Sequence, residues 1–214
     1  MSCGWMGREW GGDMAEKPIL FNTPMVRAIL EDRKNTTRRV VKDPYYIDDE
    51  QASRVSGLAI HKGTNITHGM PYEDQLFSPG DILWVRETWM AVKKYGKVPE
   101  YYYRADVDQT SGYKPPDALK WHPSIHMPRE AARIFLRVTD VRVERLQEMH
   151  AEDSLREGVK RHLEGCLNGE APLKPFADLW DSTIKSADRD RYGWAANPWV
   201  FRVEFERCEK PEEG

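Results

Sequence analysis

Hydrophobic and polar positions alternate most regularly near the C-terminus. There, "NPWVFRVEFER" sets Trp199, Phe201, Val203 and Phe205 against Arg202, Glu204 and Glu206. A period of two belongs to a strand with one buried face, so this stretch predicts a closing β-strand. "ARIFLRVTDVRVERL" (132–146) alternates in the same way, with Val141 and Val143 against Arg142, Glu144 and Arg145, and predicts a long or bent strand. "ILWVRE" (82–87) follows a turn at Pro79, Gly80 and Asp81 and is too apolar for a half-exposed edge, so it predicts a central strand. "KPILF" (17–21) and "EYYYRAD" (100–106) predict two more strands. Helical spacing is sparser. Met25, Ala28 and Ile29 share one face of a helix that Asn22 or Thr23 caps and Pro24 opens. A short helix over 151–157 stops at Gly158, and Phe176, Leu179, Trp180 and Ile184 mark an amphipathic helix.

Strands at irregular intervals with short helices between them predict an α+β domain around a mixed sheet or small barrel, not a doubly wound βαβ series. The stretch 43–78 is polar and aperiodic, punctuated by Gly57, Gly63, Gly69 and Pro71, and reads as a loop or insertion; "QTSGYKPPD" reads as another loop. No internal repeat, heptad or low-complexity tract is visible.

Composition narrows the function classes. The chain has 214 residues, 40% hydrophobic and 31% charged, enough for one domain with sizeable insertions. With 32 Lys+Arg against 35 Asp+Glu, a polyanion has to be met by a local patch and not by the global field. Three cysteines, Cys3, Cys166 and Cys208, lie far apart outside any CxxC spacing, which indicates neither a disulfide framework nor a zinc knuckle and makes a reducing cytoplasm the simplest home. No run approaches the roughly 20 apolar residues of a membrane span, so no membrane partner is expected. "MSCGWMGREWGGDM" lacks the order of a signal peptide and reads as a loose tail, with Met14 as an alternative start to Met1.

The local charge anomaly is "EDRKNTTRRV". From Arg33 to Lys42 there are five cations, Arg33, Lys34, Arg38, Arg39 and Lys42, and no acid. Asn35, Thr36 and Thr37 between them suit a turn or strand edge. Three readings stay open: a solvated face, an anion cradle of guanidinium forks, or a catalytic site in which Lys34 accepts a proton from a nearby hydroxyl. No GxGxxG, Walker loop, HExxH or GxSxG is present. His122 and His126 in "WHPSIHMP" are four apart, but Pro123 and Pro128 argue against the helix such a metal pair needs, so no metal or cofactor is expected. The eight Trp, among them Trp84, Trp89 and Trp199, serve a core or stacking surfaces equally well.

In order, a helix followed by "RKNTTRR", then "PGDILWVRETW", then a strand and "AEDSLREGV", then "NPWVFRVEFE", resembles the ASCH domain family of the PUA-like superfamily. The match runs over 17–206, with insertions near 43–76, 106–120 and 160–172 and tails at 1–16 and 207–214. The longer members carrying "WHPSIHMP", here Trp121 to Pro128, are similar to proteins often encoded by phages and prophages. The resemblance implies a PUA-like mixed β-barrel with flanking short helices and a cleft for RNA or a modified nucleoside. DNA, or a host protein acting as partner, is the alternative. One small group of the family removes the acetyl group of N4-acetylcytidine with a GRKT-x-T-x-R motif and a downstream Glu. The motif's Lys matches Lys34, its second Thr Thr37 and its last Arg Arg39, and the Glu matches Glu157. Asp32 stands in place of the motif's Gly, and Asn35 in place of its first Thr. Another member is described as a ribonuclease for single strands. On this resemblance Lys34, Thr37 and Glu157 are the candidate catalytic residues. Arg33, Arg38, Arg39 and Arg86 are candidate phosphate contacts, Trp84 and Trp89 stack a base, and Ser124, His126 and Arg129 complete the expected binding surface.

Overall fold

The computed structural model describes residues 15–41, 77–92, 99–107, 120–160 and 173–211. Most of the expected tails and insertions therefore lie outside the described residues, together with Lys42, Cys3 and Cys166.

The chain opens with β1 (Glu16–Leu20) and α1 (Thr23–Leu30). The Asn22 side chain accepts from the Met25 amide at 3.0 Å, and Pro sits in the first turn, where its missing N–H costs nothing. Past α1, Asp32 takes a positive φ of 54°, and the amides of Arg33 and Lys34 both return to the Ala28 carbonyl, at 2.8 and 3.0 Å. The basic segment is thus folded back against the helix end before it enters β2 (Thr36–Val40). β3 (Ile82–Arg86), β4 (Trp89–Val92) and β5 (Glu100–Tyr103) follow, then β6 (Phe135–Arg145), α2 (Ala151–Arg156), α3 (Leu173–Thr183), α4 (Arg189–Tyr192) and β7 (Trp199–Cys208).

Five strands form one sheet in the order β1-β3-β6-β7-β2, with β1 parallel to β3 and the other pairs antiparallel. β4 and β5 form a separate two-stranded antiparallel ribbon. The fold is therefore α+β around a mixed sheet. Among the described strands no ladder joins β1 to β2, so no closed barrel forms, yet Arg39 on β2 reaches the Leu20 carbonyl on β1 at 2.8 Å. The sheet is curled enough to bring its two edges within one side chain of each other.

Burial explains the sequence pattern. Leu83 and Val85 of β3 enter the main core with Ile19, Val26, Ile29, Leu136, Val141 and Val203, whereas Ile82 enters a second cluster with Met127, Ala131 and Phe135. Apolar matter covers both faces of β3, which is why its sequence is a continuous apolar run. The long strand β6 bends at a register shift between Val138 and Asp140. A third cluster, Leu146, Phe176, Trp180 and Val200, fastens α3 to the sheet. β7 continues to Cys208, two residues beyond the expected domain limit.

Candidate functional site

Lys34 and Glu157 meet through an isolated antiparallel bridge between the turn after α1 and the residue that caps the C-terminus of α2. The approach depends on Gly158, whose φ of +93° disfavours a side chain and whose added Cβ would stand 2.7 Å from Ala28 Cβ and 3.2 Å from Lys34 Cβ. Arg33 tightens the same turn by donating to the Gly158 carbonyl at 2.8 Å. The Lys34 ammonium is enclosed. It donates to the Glu157 carboxylate (Oε2, 2.7 Å) and to the carbonyls of Thr36 (2.7 Å) and Glu157 (3.0 Å), so all three of its protons have acceptors. It also lies 5.5 Å from the centre of the Phe21 ring. Burial pushes the Lys34 pKa below the ordinary lysine value, and the Glu157 charge pulls partly back.

The other Glu157 oxygen, Oε1, accepts from Arg38 Nη1 at 3.1 Å. Arg38 is itself buried and held from behind. Its Nε donates to Glu144 at 2.8 Å, and its Nη2 makes ionic contacts with Glu144 (2.7 Å) and Asp153 (3.4 Å) without a directed hydrogen bond. Arg202, beside Arg38 in the β2–β7 ladder, pairs with Asp153 at 3.2 Å and with Glu204. Two of the cations that looked like an anion cradle in the sequence, Lys34 and Arg38, are thus neutralised by Glu144 of β6, Asp153 of α2 and Glu157 at the end of α2. Ion pairs of this kind gain little net stability against the cost of dehydrating them, but they are expensive to break one partner at a time.

Thr37, Arg38, Arg39 and Glu157 form one wall of a narrow cleft, and Met25 of α1 with Phe176, Leu179, Trp180 and Thr183 of α3 form the other. About 30 Å³ is open to the centre of a water molecule, room for roughly two waters, within about 320 Å³ of unoccupied space shared with solvent. Lys34 does not line the cleft; it touches it through Glu157. The Thr37 hydroxyl has no hydrogen-bond partner among the described residues, although the residue is buried in β2. Trp180 is pinned by its indole N–H, which donates to the Tyr192 carbonyl at 2.8 Å. The cleft therefore pairs a carboxylate and a hydroxyl with an aromatic and aliphatic wall.

The residues expected from the sequence fall into two groups. Lys34, Thr37, Arg38, Arg39 and Glu157 come together here; Arg33 borders them but spends its guanidinium on Glu31 and Gly158. Trp84 and Arg86 lie on β3, separated from β2 by two strands, with the Arg86 guanidinium 5.5 Å from the Trp84 ring centre. Trp89 packs between Tyr101 and His122, with ring centres 5.9 and 5.1 Å away. Ser124 and His126 form a 3-10 turn, and Arg129 pairs with Glu16. These six residues belong to the side of the molecule built on the second apolar cluster, not to the cleft. Sequence reasoning missed Glu144, Asp153 and Arg202 around Arg38, and Met25, Phe176 and Trp180 as cleft walls. One signal was present: Asp153 stands four residues before Glu157, on the same face of α2.

Comparison with family models, with curated proteins and with solved structures returns no match.

Proposed function

We propose that the chain is an ASCH-type, PUA-like domain whose cleft hydrolyses the amide of a small acylated amine, with an N4-acylated cytidine as the model substrate. The observation that carries this reading is a fully enclosed Lys34 ammonium 2.7 Å from a carboxylate that lines a cleft also lined by Thr37. The curl that lets Arg39 reach Leu20 supports the barrel-like architecture.

In this reading Glu157 is the cleft-facing acid and base. Thr37 orients a water by hydrogen bonding, and Glu157 takes a proton from it as the water oxygen bonds to the acyl carbon. The C–N bond then breaks, and the proton passes from Glu157 to the departing amine; the second water proton stays with the carboxylic acid product. Lys34 acts through Glu157, holding one carboxylate oxygen and compensating its charge in a medium that screens poorly. The apolar wall of α3 receives the planar ring, which enters by displacing the partly exposed Leu179 and Thr183 side chains. Because Arg38 already serves three carboxylates, a neutral nucleoside suits this cleft better than a phosphate backbone. Incubation with N4-acetylcytidine and with labelled single-stranded RNA tests the reading: cytidine and acetate support it, and cleaved RNA with intact nucleoside sinks it.

A second reading has its own observation. The surface holding Trp84, Arg86, Trp89 and His122 interleaves rings with a guanidinium, the arrangement that binds single-stranded RNA or DNA by stacking. It predicts salt-dependent binding without a product, lost in Trp89→Ala and retained in Glu157→Gln.

A further inference from the structure

Among the described residues Arg38 is the one cation of the basic segment that both lines the cleft and is almost wholly buried. Its place follows from the ladder. Thr37 and Arg38 are neighbours on β2, so their side chains leave the strand on opposite faces, and Arg38 leaves on the side covered by α2. On that helix Asp153 and Glu157 are four residues apart and point the same way, and both touch the Arg38 guanidinium. Glu144, entering from β6, holds the far edge of the same planar group. A guanidinium gripped at Nε and Nη2 cannot turn without breaking contacts with Glu144. Its remaining Nη1 therefore presents a donor in one fixed direction, toward Glu157 Oε1.

We propose that Arg38, anchored by Glu144, is a positioning residue that fixes the rotation of the Glu157 carboxylate against the cleft, and is not a contact for substrate phosphate. The proposal rests on the hydrolytic reading for its consequence in turnover, but not for its geometry. Lys34 holds one oxygen and Arg38 the other, so the carboxylate has a donor for each and no freedom to rotate. The charged groups around Glu157 are Lys34 from the turn, Arg38 and Arg39 from β2, and, beyond Arg38, Glu144 from β6, Asp153 from α2 and Arg202 from β7. Among the described cations, only Lys34 and Arg38 make direct contact with it. Removing Arg38 leaves two acids behind a carboxylate that has lost one of its two compensating charges.

The experiment uses the full chain with Arg38→Gln, Arg38→Lys and Glu144→Gln, each compared with wild type in turnover of N4-acetylcytidine and in ¹³C-carboxyl NMR spectra of glutamate-labelled protein, the Glu157 resonance being assigned by its loss in Glu157→Gln. Positioning predicts that kcat falls roughly 10- to 100-fold in Arg38→Gln with KM little changed, and that Arg38→Lys, which keeps charge but not the fork, recovers only part of the rate. At fixed pH the Glu157 carboxyl resonance shifts in Arg38→Gln whether or not this nucleoside is turned over, so a failed choice of substrate does not hide the result. A rise in KM with kcat unchanged assigns Arg38 to substrate binding and overturns the proposal. A Glu157 carboxyl resonance unmoved in the folded Arg38→Gln and Arg38→Lys variants overturns it as well.

Discussion

Replacing Glu157 by Gln keeps the shape of the site and removes one charge, leaving the Lys34 ammonium buried with only carbonyl and amide oxygens as partners. Breaking one side of a buried ion pair costs about 3–5 kcal/mol. An independent ceiling comes from the lysine itself, which escapes the penalty by losing its proton. From an ordinary value of 10.5 to neutral pH is about 3.5 units at about 1.36 kcal/mol each, or about 4.8 kcal/mol. The two figures bracket the same range, so the variant is expected to lose about 3–5 kcal/mol at pH 7, a fall in Tm of roughly 6–20 °C for a chain of this size. The pH dependence identifies the cause. In the variant the folded amine holds its proton less tightly than the unfolded one, by a wider margin than in wild type. The unfolded chain then carries more protons through the interval between the two pKa values, and stability rises with pH there. Urea denaturation of both proteins from about pH 7 to about pH 9.5 is the assay, and the gap between them narrows as pH rises. A loss below about 1 kcal/mol, or a gap that does not change with pH, refutes the picture of a buried ammonium dependent on Glu157.

Two further predictions test the neighbouring structure. Thr37→Val removes a hydroxyl that bonds no described residue, so it is expected to shift stability by less than about 0.5 kcal/mol while lowering kcat by roughly 10²-fold or more; chemical denaturation beside steady-state kinetics separates the two effects. Gly158→Ala meets Ala28 and Lys34 as well as an unfavourable φ, whereas Gly80→Ala meets only the φ of +93° with nothing within 4 Å. Differential scanning calorimetry is expected to find about 1 kcal/mol lost at Gly80 and clearly more, up to about 3 kcal/mol, at Gly158.

Local patterns carried much of the fold. The two-residue period of β7 and the apolar run of β3 were readable because each reports burial by the strand's own side chains. β2 read only as a turn or strand edge for a physical reason: Thr36, Thr37 and Arg38 look solvent-loving until their partners are known. Those partners, Glu144 and Glu157, lie 106 and 119 residues further along the chain from Arg38. β4 is only four residues long, and its ribbon partner β5 was visible without it. At the candidate site the charge run was conspicuous but its meaning was not. Composition favours a wet surface, and only the order of motifs singled out Lys34, Thr37 and Glu157. Their convergence depends on α2 ending in Gly158 against the end of α1, a contact between segments 123 residues apart that no local spacing encodes.

The central claim is that Glu157, with Lys34 behind it and Thr37 lining the same cleft, performs hydrolysis there. Release of acetate from N4-acetylcytidine, followed by proton NMR for wild type and Glu157→Gln at a temperature where both are folded, tests it most directly. The account predicts one acetate per cytidine from the wild type and a rate at least 10²-fold lower in the variant. Equal rates in the two proteins, or no acetate from either, would contradict it.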